Sequence, residues 1–221
     1  MKWLLAGASG FLGTALRVRL AGLGHEVVRL VRREPATAAE YRWDPDSFEI
    51  DRAALEGVDA VVNLCGVGVA DWLWTPSRRQ VLHSSRVNPT GTLAAALADR
   101  APAGDAPVLI QASGIAVYGT QHSAVPHTEE SPAASDFLAG LVVDWEQATD
   151  PAIEAGVRVV IMRTSPVLDR SGGAFRLMKV CWSLGGGAVL GDGQQRMPMI
   201  SLDDYLRFVL WAAATPAATG P

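Results

Sequence analysis

Apolar positions recur along the chain in two alternating rhythms. Short runs that are apolar on both faces, at residues 2–8, 25–31, 58–64, 107–112 and 157–163, predict buried β-strands. Longer stretches with helical spacing, at 11–23, 76–100, 135–155, 173–184 and 202–214, predict helices, the first of them closed by Gly24. Strands buried on both faces and separated by helices of this length predict an α/β fold, a doubly wound parallel sheet with helices on both sides.

Gly7, Gly10 and Gly13 fall directly after the first predicted strand and open the first predicted helix. That placement turns a weak glycine spacing into a Rossmann-type dinucleotide loop, with Gly7, Ser9, Gly10, Phe11, Leu12 and Gly13 as its cofactor-binding residues. Without Cβ atoms the turn can be tight and its backbone can approach a pyrophosphate, while the helix N-terminus supplies partial positive charge. The competing reading is an ordinary glycine-rich turn; the surrounding strand–helix–strand unit favours the dinucleotide. About 20 residues on, an NAD-specific fold places an acidic residue on the ribose 2′-hydroxyl. Arg32 and Arg33 stand there instead. A guanidinium suits a 2′-phosphate, so NADP(H) is the predicted cofactor and Arg32 its reader.

Composition narrows the partners. With 221 residues, 49% of them hydrophobic, the chain suits one domain of doubly wound size or one domain plus a small appendage. Its net charge of −4 leaves no basic footprint for nucleic acid. No apolar run reaches the roughly 18 residues of a membrane span, and no signal peptide is recognisable, so a cytoplasmic location without membrane contact is expected. Cys65 and Cys181 lie far apart, as reduced thiols would. His122 and His127 sit in a polar loop without cysteine partners, a pattern that suits a solvated surface better than a zinc site, and no metal is expected.

The glycine loop, the run Val61-Val62-Asn63-Leu64-Cys65-Gly66 and the run Ser85-Arg86-Val87-Asn88 together resemble the extended (atypical) short-chain dehydrogenase/reductase superfamily. The segments Asp71-Trp72-Leu73-Trp74-Thr75-Pro76, Asp136-Phe137-Leu138-Ala139, Asp144-Trp145-Glu146 and Gly191-Asp192-Gly193-Gln194-Gln195 are similar to its nucleoside-diphosphate-sugar epimerase-like branch, of the NAD-dependent epimerase/dehydratase type. The resemblance implies that Leu64, Cys65 and Gly66 pass beside the adenosine and pyrophosphate, that Arg86 lies near the cofactor and that Val167 flanks its nicotinamide end. It makes Gln195 and Arg196 the substrate-binding side chains, for a small-molecule substrate. It also implies a division into an NADP(H)-binding Rossmann domain (1–165), a substrate-binding segment (166–198), and a last Rossmann helix with a shortened C-terminal end (199–221). Relatives carry a further strand and helices that cover substrate, so the substrate-binding part is expected to be small and truncated. A homodimer through the helices at 76–100 and 135–155 would fit the family, although their alanine-rich faces would serve equally as core.

The resemblance breaks at the chemistry. The superfamily works with a tyrosine and, four residues later on one helix, a lysine that lowers its pKa. Leu138 and Val142 stand at those positions, and none of the tyrosines, Tyr41, Tyr118 and Tyr205, is followed by such a lysine. Ser113 and Tyr118 remain as catalytic candidates, the first equally a strand-end cap and the second more often a packing feature whose ring covers the cofactor face. Two readings stay open: an oxidoreductase or epimerase-like enzyme lacking the pair, or a catalytically degenerate NADP(H)-binding sensor. Trp72, Trp74 and Trp182 suit packing more than substrate stacking.

Overall fold

Side chains of the central strands alternate between two apolar cores, and that alternation decides which helix covers which face. The computed structural model describes residues 1–119, 126–186, 192–194 and 196–221. Its strands β1 (Lys2–Ala6), β2 (Glu26–Val31), β3 (Glu40–Asp44), β4 (Glu49–Ile50), β5 (Ala60–Asn63), β6 (Val108–Gly114) and β7 (Val159–Thr164) form one sheet in the order β4-β3-β2-β1-β5-β6-β7. Every neighbour pair is parallel except β3 with β4. Leu4, Leu30, Val61, Leu109 and Ile161 point to one face, under Leu93, Ala94 and Leu97 of helix α2 (Pro76–Ala98). Trp3, Leu5, Val62, Ile110 and Met162 point to the other, under Leu16 and Leu20 of α1 (Phe11–Gly22). Each fully buried leucine contributes roughly 1.5–3 kcal/mol by leaving water.

The 135–155 stretch departs from the expected single helix. It forms α3 (Phe137–Gln147) and α4 (Asp150–Glu154), with the break at Ala148 and Thr149. Pro151 has no N–H to continue the ladder, and the buried Thr149 hydroxyl turns back to the Glu146 carbonyl at 2.7 Å. Strands β3 and β4 had no counterpart in the hydrophobic pattern. Beyond β7, β8 (Val167–Asp169), α5 (Gly173–Ser183) and β9 (Ile200–Ser201) make a small second layer, β8 pairing with β9. The last helix, α6 (Leu202–Ala214), buries Tyr205, Leu206 and Val209 on the α1 face. Ser201 is its cap, accepting from the Asp204 N–H, and Asp203 and Asp204 follow in the first turn. Arg158 closes the other end by donating to the carbonyls of Ala212, Ala213 and Thr215.

Candidate dinucleotide cleft and a neighbouring tyrosine–arginine cluster

Strand β1 is the point where chain order reverses across the sheet, and a crevice opens there at the carboxyl ends of the strands. Gly7 takes φ +76°, and a Cβ on it would lie 2.8 Å from the Leu64 carbonyl carbon and oxygen. A Cβ on Gly13 would lie 2.3 Å from the Gly7 oxygen and 2.7 Å from the Ala8 Cα. These two glycines let the loop fold against β5 and against its own helix. Gly10 differs: a Cβ there meets nothing nearer than 3.5 Å, so internal packing does not require its bareness. Among the described residues, no acceptor meets the N–H groups of Phe11, Leu12 and Gly13, and α1 has neither a side-chain cap nor an acidic residue in its first turn. By contrast α2, α3 and α6 are capped by Thr75, Asp136 and Ser201. A helix end left open in this way suits an anion brought from solution.

The crevice has a volume of about 710 Å³, with Gly7, Ser9, Gly10, Arg32, Leu64, Cys65 and Gly66 among its lining residues. The two arginines after β2 divide their work. Arg33 donates twice to the carboxylate of Glu40, at 2.7 and 2.9 Å, and Arg29 joins it at 2.7 Å. Arg32 is exposed, lines the cleft and forms no hydrogen bond or ion pair among the described residues. The Arg33 guanidinium, with the Ala36 N–H, holds the Glu40 carboxyl down to about 2. Because the folded value lies below the ordinary 4.5, Glu40 stabilises the fold above that pH and the contribution is lost as pH falls through about 2. Glu40→Gln is therefore expected to lower the thermal midpoint at neutral pH and to flatten its fall between about pH 4.5 and 2. Parallel acid limbs for the two proteins would contradict the assignment.

The far wall of the cleft is held by a buried polar network. Asn63 donates to Thr90 Oγ1 at 3.0 Å and to Gln111 Oε1 at 2.9 Å, and it accepts from the Cys65 N–H at 3.1 Å. Trp145 Nε1 also donates to Thr90 Oγ1, at 3.1 Å. Burial pushes the Cys65 thiol up to about 12 despite the pull of Arg32, and so disfavours the thiolate at this wall of the cleft. Arg86, only 8% exposed, lies behind Gly66 rather than in the cleft lining. It donates to the carbonyls of Leu82 and Val67 and sits 5.3 Å from the Trp145 ring. Desolvation, and then Arg78, draw its guanidinium down to about 10.

A second polar cluster occupies the next strand ends. Ser113 on β6 and Arg163 on β7 are register partners. Arg163 reaches both carboxylate oxygens of Glu146, Nε at 2.9 and 3.2 Å and Nη2 at 2.7 Å, and Glu146 also accepts from the Ser113 hydroxyl. Arg163 Nη1 donates to the Tyr118 hydroxyl oxygen at 3.1 Å and to the Glu129 carbonyl at 2.9 Å. The Tyr118 ring stacks on His127 with centroids 5.1 Å apart. Leu138 and Val142 present only hydrocarbon, Val142 being buried. Ser113 and Tyr118 were legible as candidates; Glu146 and Arg163, which connect them, were not.

Other expected site residues turn their side chains elsewhere. Leu12 packs into the core under α1, while the Phe11 ring lies against Gly172 and Gly173 at the start of α5. Val167 is buried in that same core on β8, away from the lining of the cleft. Arg196 is exposed, and Gln195 and His122 lie outside the described residues. The three tryptophans are not core packing. Trp72 is 76% and Trp182 62% exposed, and Trp74 meets Phe137 edge-on at 5.7 Å on the surface. Among the described residues there is no group of His, Cys, Asp and Glu able to hold a metal, and no helix is long and apolar enough to cross a membrane.

Comparison with known proteins points the same way. The model of the NAD-dependent epimerase/dehydratase family matches residues 3–221. An epimerase family protein of Mycobacterium bovis is 46% identical over 217 residues, which cover 98% of this chain and 70% of that protein. The crystal structure of a nucleoside-diphosphate sugar epimerase from Corynebacterium glutamicum superposes with a TM-score of 0.86 at 34% identity. This chain is covered in full there but spans 45% of that protein. The human epimerase family protein SDR39U1, solved with NADPH, superposes with a TM-score of 0.80 at 32% identity, over 96% of this chain and 70% of the human one.

Proposed function

The chain belongs to the NAD-dependent epimerase/dehydratase family, and on that premise we propose that it binds NADP(H) in the cleft beside β1 and acts as an oxidoreductase or epimerase-like enzyme on a small molecule. The observation that carries this reading is the open N-terminus of α1 facing a cleft also lined by Arg32, which has no hydrogen-bond or ion-pair partner among the described residues. The NADPH in the structure of the human relative supports the choice of dinucleotide. In this reading the N–H groups of Phe11, Leu12 and Gly13 hold the pyrophosphate, with Ser9 as an added donor. Arg32 takes the 2′-phosphate, and Leu64, Cys65 and Gly66 form the wall along the adenosine, backed by Arg86. Bound there, the nicotinamide supplies hydride transfer. The segment 166–198, with Gln195 and Arg196, is assigned to the substrate.

A second reading, a binding protein that responds to NADP(H) without turnover, is favoured by the hydrocarbon at Leu138 and Val142. It is also favoured by Ser113: its hydroxyl donates to a carboxylate, which accepts only, so no proton is left for a substrate carbonyl. One experiment separates the two. The purified protein is warmed with and without NADPH, then incubated with NADPH and a panel of carbonyl compounds while reduced nicotinamide is followed by absorbance. At about 100 times the dissociation constant, NADPH should stabilise the protein by about 2.7 kcal/mol. Oxidation above buffer supports the enzyme; binding with no oxidation supports the sensor. No thermal shift would remove both.

A further inference from the structure

Loops after β5, β6 and β7 follow one another along the carboxyl edge of the sheet, so the Ser113–Tyr118 turn lies next to the loop that walls the cleft. At that place Tyr118 meets a cation: among the described residues, the hydrogen-bond partner of its hydroxyl is Arg163 Nη1, at 3.1 Å. A guanidinium can only donate, so the tyrosine oxygen accepts, and its own O–H is left to point elsewhere. Glu146 lies on the far side of the same guanidinium and takes its Nε and Nη2, which fixes the plane of the fork and turns Nη1 toward the phenol. Ser113 completes the support by donating to Glu146.

We propose that Tyr118 is the proton donor and acceptor of this site, and that Arg163, oriented by Glu146, is the positioning residue that stabilises its phenolate. This rests on the NADP(H)-dependent reading above. In the direction of reduction, hydride passes from the reduced nicotinamide to a carbonyl carbon as the C=O π bond breaks. The Tyr118 O–H bond breaks and its proton goes to the carbonyl oxygen, giving an alcohol and oxidised nicotinamide. The phenolate left behind faces Arg163 and regains a proton from water. The cation thus comes from a strand end, β7, and not from the helix that carries Leu138 and Val142.

The test uses the full chain, NADPH and phenanthrenequinone as the carbonyl probe, with the NADPH dissociation constant measured for every variant. Tyr118→Phe is expected to lower kcat by about 100-fold or more while KM and NADPH binding stay within about threefold. Arg163→Met should lower kcat by at least about tenfold, and Arg163→Lys should recover most of that loss. The double variant should be no slower than Tyr118→Phe alone, because Arg163 acts through the phenol. If Arg163→Met does not fold, Tyr118→Phe and Arg163→Lys decide. Full activity of Tyr118→Phe, equal loss from Arg163→Met with and without the tyrosine, or a wild type that binds NADPH but oxidises none of it would overturn the proposal. A wild type that fails to bind NADPH would instead overturn the reading on which it rests.

Discussion

Gly13→Ala is expected to destabilise the protein by about 3 kcal/mol, at the upper end of the usual range for overpacking, because its methyl group must displace backbone and not a side-chain tip. The added carbon would sit 2.3 Å from the Gly7 oxygen and 2.7 Å from the Ala8 Cα, atoms fixed by β1 and by the hydrogen bond from Gly10 N to Gly7 O. Relief would require α1 to move off the loop, opening the contact of Leu16 and Leu20 with Trp3 and Leu5. Against a total stability of roughly 5–15 kcal/mol this is a large fraction. Gly10→Ala is the control. Its methyl group meets nothing nearer than 3.5 Å, so the thermal midpoint should hardly change, yet NADPH affinity should fall by about tenfold or more as the group enters the space the pyrophosphate needs. Equal stability of the two variants, measured by chemical denaturation, would show that the loop does not pack against its helix as described.

The second large effect concerns which arginine reads the dinucleotide. Arg32→Ala removes a charge-assisted contact to the 2′-phosphate, a loss of about 2 kcal/mol or roughly thirtyfold in NADPH affinity, while NADH binding stays within about threefold. Arg33→Ala should act differently, because that guanidinium already holds Glu40 and its removal leaves the buried carboxylate only Arg29 and the Ala36 N–H. Its expected signature is a lowered thermal midpoint with the NADPH-to-NADH ratio little changed. Calorimetric titration of both variants with both dinucleotides checks the pair, and a loss of discrimination in Arg33→Ala alone would reverse the assignment.

What could be read from the chain alone was what depends on near neighbours. Gly7 to Gly13, the helix that follows and Arg32 lie within one strand–helix–strand unit, so spacing was sufficient to place the loop, the helix and an arginine at the cleft. Strand β3 escaped because its one fully sequestered polar residue, Glu40, is buried by two arginines that are remote in pattern though close in space. Its run of charged residues interleaved with Tyr41 and Trp43 reads as solvent-exposed until those partners are known. The break at Thr149 was signalled by Pro151 and overridden by the alanine-rich periodicity on either side. The Ser113–Glu146–Arg163–Tyr118 cluster depends on the register of β6 with β7 and on where α3 lies across them, and no spacing along the chain encodes that. The side chains of Phe11 and Val167 show the reverse: they sit beside the candidate functional segments in sequence, but turn into helix and core contacts, which leaves Phe11 only its backbone N–H to offer.

An NADP(H) site built from the open end of α1 and from Arg32, which has no partner among the described residues, should show itself when the wild-type protein is titrated calorimetrically with NADPH and, separately, with NADH. Saturable one-to-one binding of both is expected, with NADPH tighter by at least about tenfold. Equal affinities, or no heat from either dinucleotide, would contradict it.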